Sequence, residues 1–96
     1  MIGVIATLQA KPGQGDRLAA ALERAAPLVR SNEPGCSFYQ PIRAQENPDV
    51  IKVFEIYDSA EAIAAHRETA HFQPLKEAFG ALLAAPPTVE RFDVFG

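Results

Sequence analysis

The stretch of sequence that decides the fold is Val50–Tyr57, which reads VIKVFEIY. Its β-branched and aromatic residues predict a strand, whose successive side chains point to opposite faces. One face would carry Val50, Lys52, Phe54 and Ile56, and the other Ile51, Val53, Glu55 and Tyr57. A strand with one wet face would alternate cleanly between apolar and polar residues. We therefore expect both faces to be covered, one by helices and the other by the sheet of a second copy in a two-fold homodimer.

The segments before this strand predict a hairpin and a helix. Cys36–Arg43 is a second strand-like run, and the polar connection 44–49 has a length suited to antiparallel pairing. Residues 2–11 predict a first strand that ends at a Pro-Gly turn. From Asp16 onward, apolar residues recur at steps of four, three and four, which is typical of an amphipathic helix. Pro27 should kink this helix or end it early, and Pro34-Gly35 should stop it.

The segments after this strand predict two more helices and a last strand. Asp58 and Glu61 have capping-box spacing, which predicts a helix start. Beyond Thr69-Ala70, an apolar stripe over 72–83 predicts a further helix, and residues 88–95 predict a strand. The order βαββα(α)β is that of the split βαβ, or ferredoxin-like, α+β fold. We expect one domain over 1–96.

Composition excludes several classes of protein. Nine Lys and Arg against twelve Asp and Glu give a net charge of −3, which opposes binding to nucleic acid. A chain of 96 residues has a small core, and its single cysteine cannot form an intramolecular disulfide, so oligomerisation is the expected source of added stability. The sequence shows neither a signal peptide nor a membrane-spanning run, so we expect a cytoplasmic protein without a membrane partner.

Glu55 is the first candidate for chemistry, because a carboxylate inside an apolar strand requires a partner. Arg43, Arg91 or a backbone donor could supply it. A buried carboxyl has a raised pKa, which suits a general base or an acceptor for a phenolic substrate. The alternative is a purely structural hydrogen bond between strands or subunits.

His66 and His71 are the second candidates. On one continuous helix they would point about 140° apart, which argues against a metal pair. A break near Thr69-Ala70 could instead turn both rings toward one space. The alternative is a partly exposed His66 and a capping His71. Arg30 and Glu33, in contrast, are interpreted as a solvated helix end.

Two further features have mainly structural interpretations. Tyr39 and Tyr57 are amphipathic core residues by default, although each hydroxyl could orient a ligand. Gly13-Gln14-Gly15 follows a strand and precedes a helix, but Leu18 replaces the third glycine of a dinucleotide fingerprint. A turn and a helix start explain this segment better than a cofactor site.

Four segments together resemble the antibiotic biosynthesis monooxygenase (ABM) domain family over nearly the whole chain. They are Lys11-Pro12-Gly13, Glu33-Pro34-Gly35-Cys36 with Tyr39, Phe54-Glu55-Ile56-Tyr57, and Ala65-His66-Arg67-Glu68-Thr69-Ala70-His71-Phe72. The resemblance implies a dimeric α+β barrel with an apolar pocket between sheet and helices. Members include cofactor-independent monooxygenases of polycyclic phenols, quinol monooxygenases, haem-degrading enzymes and an isomerase-like protein.

The resemblance is to the quinol-monooxygenase-like branch. The haem-degrading branch has an Asn on the first strand and a Trp at the end of the third, where this chain has Ala6, Thr7 and Tyr57. We therefore expect no cofactor, no haem and no metal, and a small aromatic or quinol-like substrate that reacts with O2. The alternatives are a non-catalytic small-molecule-binding or stress-related dimer and an isomerase that uses the same pocket.

The expected site combines both lines of reasoning. The candidate catalytic residues are His71, His66 and Glu55. The candidate substrate-binding residues are Tyr57, Tyr39, Phe72 and Phe54.

Overall fold

Four antiparallel strands and three helices make up the computed structural model, which describes residues 1–96. The elements are β1 (Ile2–Gln9), α1 (Gly15–Asn32), β2 (Cys36–Arg43), β3 (Val50–Tyr57), α2 (Ala60–Arg67), α3 (Phe72–Leu82) and β4 (Thr88–Asp93). The strands lie in the order β2-β3-β1-β4. This topology confirms the predicted ferredoxin-like α+β fold. No helix combines the length and the apolar character needed to cross a membrane.

The predicted bounds of β2 and β3 are confirmed, and the other boundaries shift by a few residues. β1 ends at Gln9, after which Ala10 forms only an isolated bridge with Leu83. β4 ends at Asp93, because the chain beyond it has no strand to pair with. The predicted Asp58 cap of α2 is wrong. Ser59 is the N-cap, and its hydroxyl accepts a hydrogen bond from the Ala62 backbone N–H at 3.2 Å.

Helix α1 packs its apolar stripe onto the sheet. Leu18, Leu22, Ala25 and Val29 are all buried, as their spacing predicted. The helix does not end early at Pro27 but runs on to Asn32. Pro27 lies on the exposed side of the helix, so the carbonyl that loses its helical partner there remains open to water.

The turn before α1 is held by a side chain from the β2–β3 connection. The carboxylate of Asp49 accepts hydrogen bonds from the backbone N–H groups of Gly13, at 3.1 Å, and Gly15, at 2.9 Å. A Cβ at Gly15 would lie 2.0 Å from the carbonyl oxygen of Pro48, so only glycine fits this contact. The two glycines therefore shape a turn, and an internal carboxylate occupies the donors that a phosphate would need.

The two faces of the sheet have opposite exposure. On the helix-covered face, Ile51, Val53, Glu55 and Tyr57 of β3 are buried. On the other face, which we call the open face, four large apolar side chains are 37–46% exposed in the single chain. These are Phe38 and Ile42 on β2, Phe54 on β3 and Phe92 on β4.

Candidate active site

An apolar cavity of about 290 Å³ lies between the helix-covered face of the sheet and helices α2 and α3. Strands β1 and β3 form its floor with Val4, Ala6, Leu8 and Val53. Helix α3 supplies Phe72, Leu75 and Phe79 as a wall. The polar and charged residues at the cavity are Tyr39, Glu55, Tyr57, His66, Arg67 and Arg91. An apolar space with a few convergent polar groups is typical of a small-molecule site.

His66 presents its imidazole to this cavity from the last turn of α2. Its Nδ1 lies 2.8 and 2.9 Å from the two carboxylate oxygens of Glu33. Three aromatic rings surround the imidazole, with centroid distances of 5.7 Å to Tyr39, 5.8 Å to Tyr57 and 5.0 Å to Phe72. Glu33 thus fixes the orientation of the ring, and Nε2 forms no hydrogen bond within the protein.

His71 contacts the same carboxylate from the other side. Its Nε2 lies 2.5 Å from Oε2 of Glu33. His71 does not line the cavity, but it lines a separate groove of about 270 Å³ between α1 and α3. The side chains of Glu33, His66 and His71 are only 8%, 8% and 12% exposed. A buried carboxylate therefore joins two imidazoles, one at the cavity and one behind it.

The interpretation of Glu33 as part of a solvated helix end is wrong. The turn after α1 packs against α2 so closely that a Cβ at Gly35 would lie 2.8 Å from the Cβ of Ala62. This contact holds Glu33 under α2, where both imidazoles reach it. The signal in the sequence was the period of α1, since one further step of four from Val29 leads to Glu33.

Glu55 and Tyr57 form the second polar group of the cavity. They stand two residues apart on β3 and so share a face, and the Tyr57 hydroxyl donates a 2.5 Å hydrogen bond to Oε1 of Glu55. None of the predicted partners of Glu55, which were Arg43, Arg91 and a backbone donor, bonds to its carboxylate. Burial raises the pKa of the Glu55 carboxyl and also the pKa values of the Tyr39 and Tyr57 hydroxyls.

The sequence profile of the family described as antibiotic biosynthesis monooxygenase matches residues 1–78. This range contains most of the elements that build the cavity. The chain belongs to the antibiotic biosynthesis monooxygenase family. A Caulobacter crescentus protein of the same family name is 35% identical, with a TM-score of 0.89 over 99% of this chain and 90% of that chain. One from Chloroflexus aurantiacus is 30% identical, with a TM-score of 0.84 over 99% and 93%.

A Nitrosomonas europaea protein superimposes with a TM-score of 0.93 over 100% of both chains, but at 20% identity it supports the fold alone. The comparison with curated proteins gives no match. The profile match and the 35% identical relative establish the family. The quinol-monooxygenase-like branch stays a prediction for this member.

The predicted site residues of this ABM-family member divide into two groups. His66, Glu55, Tyr57, Tyr39 and Phe72 all line the cavity. Phe54 lies on the open face, because its position in β3 alternates with those of Glu55 and Val53, and it does not reach the cavity. His71 reaches the cavity only through Glu33 and His66.

Sequence reasoning did not select the two arginines of the cavity as site residues. Arg67 ends α2 and Arg91 lies in the middle of β4, where nothing in their local patterns marks them.

No group of three or more His, Cys, Asp or Glu side chains has an arrangement that could hold a metal ion.

Proposed function

We propose that this ABM-family protein is a cofactor-independent monooxygenase that oxidises a small aromatic or quinol-like substrate with O2. The observation that carries the proposal is His66, whose Nδ1 is fixed by buried Glu33 while its Nε2 is unbonded in the wall of an apolar cavity. The cavity volume is near the lower end of the roughly 300–1,000 Å³ of ligand pockets, which favours one or two aromatic rings.

His66 is the proposed general base. Its Nε2 takes the proton from the phenolic hydroxyl, and the Glu33 carboxylate stabilises the imidazolium that forms. The resulting phenolate is electron-rich and passes an electron to O2, after which the two radicals combine in a new C–O bond at the para carbon. The peroxide formed there takes back the proton held by His66. Loss of water then leaves a quinone. One oxygen atom of O2 enters the quinone and the other leaves as water, so the substrate supplies all four electrons.

Glu55 and Tyr57 are proposed to orient the phenolic hydroxyl of the bound substrate before its proton moves to His66. The Tyr57 hydroxyl donates to Glu55, so its oxygen lone pairs remain able to accept a hydrogen bond from a phenol. The apolar walls, Phe72 among them, exclude water and so strengthen each of these polar contacts. Tyr39 packs beside His66 and limits how the ring of the substrate can turn.

The proposed functional unit is a homodimer. The four exposed apolar side chains of the open face form a patch that water contacts in a single chain. A second copy related by a two-fold axis would cover this patch with its own open face. In such a dimer the two cavities lie on the outer sides of the paired sheets, each with a complete set of residues.

The experiment uses 1-naphthol, whose para carbon carries hydrogen and can therefore take up the oxygen atom. With 18O2, the proposal predicts one labelled oxygen in the naphthoquinone product and no turnover under nitrogen. The variant His66→Gln should lose the activity, whereas Glu23→Gln, a change on the exposed side of α1, should keep it. Turnover without O2 would indicate an isomerase instead, and binding without any turnover would indicate a binding protein.

A further inference from the structure

Two arginines contact the cavity from different elements. Arg67 is the last residue of α2, and Arg91 lies on β4 opposite Val4 of β1. Both residues are largely exposed although they line an apolar cavity, so they lie at its mouth. Neither side chain forms a salt bridge or a hydrogen bond within the protein, unlike Arg43, which pairs with Asp16 at 2.8 Å.

The charge at the cavity is therefore one-sided. Glu55 is the only acidic residue of the lining, and its carboxylate is buried and already bonded to Tyr57. Burial also raises the pKa of the Glu55 carboxyl, which disfavours its charged form. Neither guanidinium group lies within salt-bridge distance of a carboxylate, although the Arg67 charge acts on Glu55 from farther away, so both remain able to pair with an anionic ligand at the mouth of the cavity.

The register of the sheet sets the distance between this mouth and the reactive end. Val4 pairs with Glu55 on one side and with Arg91 on the other, so the three residues stand in one row across β3, β1 and β4. Neighbouring strands lie about 4.8 Å apart, which puts the backbones of Glu55 and Arg91 about 10 Å apart. A two-ring aromatic has a similar length.

We propose that Arg67 and Arg91 form a subsite for an anionic group, so the substrate is a hydroxylated aromatic carboxylate with its hydroxyl and carboxylate at opposite ends. This inference deepens the proposed function and rests on it for the claim that the ligand is a substrate. The binding that it predicts requires no turnover. Arginine suits the role because its planar guanidinium donates two parallel hydrogen bonds to a carboxylate. The carboxylate then holds the far end of the ring, and the hydroxyl points toward His66.

Binding of 6-hydroxy-2-naphthoate and of its primary amide tests this subsite. The two probes share the ring and the hydroxyl and differ only in the charge of the far group. The protein has no tryptophan, so the naphthol fluorescence can be excited without interference from indole. We expect the acid to bind about tenfold more tightly than the amide, which is typical of one charge-assisted hydrogen-bonded contact.

The variants Arg91→Gln and Arg67→Gln should each weaken the acid and leave the amide unchanged. Arg17→Gln is the matched control, since Arg17 is an exposed arginine of α1 that does not line the cavity. The circular dichroism spectra of all three variants verify that they fold. Equal affinity of acid and amide, failure of both probes to bind, or an equal effect of Arg17→Gln would overturn the proposal.

Binding and oxidation fail independently. If the acid binds through the arginines but is not consumed with O2, the subsite stands and the monooxygenase proposal fails. If 1-naphthol is oxidised and the acid shows no preference over the amide, the monooxygenase proposal stands and the subsite is wrong.

Discussion

Both faces of the sheet carry apolar residues, but the two faces differ in their polar ones. The helix-covered face combines Val and Ala with the buried Glu55–Tyr57 pair, and the bonded Glu33 and His66 lie against it. The open face combines Phe and Ile with side chains such as Lys52 that have no buried partner. Buried polar groups are fully hydrogen-bonded only when their side chains take one specific arrangement. An exposed apolar patch needs only another apolar surface packed against it. This difference is why we propose chemistry on one face and association on the other.

The largest expected effect is on catalysis at the helix-covered face. The variant His66→Gln should lower kcat/KM for 1-naphthol by about 10²–10⁴-fold, because a positioned general base contributes that much. Lys52→Gln, on the open face, should leave kcat/KM unchanged. An oxygen electrode measures both rates. Comparable losses in the two variants would contradict the assignment of chemistry to one face only.

The second effect is on stability. The variant Glu33→Ala leaves His66 and His71 without their shared acceptor and opens a small cavity, so it should lower the free energy of unfolding by roughly 2–4 kcal/mol. Glu23→Ala, the matched change on the exposed side of the preceding helix α1, should alter it by less than about 0.5 kcal/mol. Urea titrations measure both. A small effect of Glu33→Ala would mean that the carboxylate is dispensable for the fold.

The third effect separates the faces by association. The variant Phe54→Glu places a charge in the middle of the open face and should weaken the proposed dimer about a hundredfold, as measured by sedimentation equilibrium. Glu61→Lys, an exposed change on α2, should not alter it. A wild-type protein that sediments as a monomer at micromolar concentration would refute the dimer itself.

The fold could be predicted from the sequence because its signals are local. The run of β-branched and aromatic residues in β3, the period of α1 and the polar connection between β2 and β3 each specify one element, and their order leaves few topologies. The errors lie at ends of elements. Ser59 caps α2 in place of Asp58 because the chain turns one residue later, and no local pattern distinguishes two adjacent cap-forming residues.

The candidate site could be predicted only in part. The residue types of Glu55, His66 and Tyr57 marked them as reactive groups in an apolar context, and all three line the cavity. Glu33 was missed because its partners are 33 and 38 residues away, and only tertiary packing brings them together. Phe54 was assigned to the cavity because both faces of β3 are apolar, and only the position of the helices decides which face is enclosed.

The smallest effect is a pH dependence of stability that arises from Glu55 on the helix-covered face. Burial raises the pKa of its carboxyl above the usual 4.5, so the folded protein keeps this proton at pH values where the unfolded chain has lost it. Because the folded state binds more protons in that window, stability falls as the pH rises through it. The variant Glu55→Gln cannot lose a proton and should not show this fall.

The measurement is the free energy of unfolding from pH 4 to pH 8, taken as the difference between wild type and Glu55→Gln so that other titrating groups cancel. We expect this difference to decrease as the pH rises above about 4.5. Gln45→Ala, a change without a titrating group at an exposed position in the β2–β3 connection, should give a flat difference. A difference that increases with pH would mean that the ionised Glu55 is stabilised in the fold. The helix-covered face would then hold a permanent charge at the cavity, and the one-sided positive charge inferred for its mouth would no longer apply.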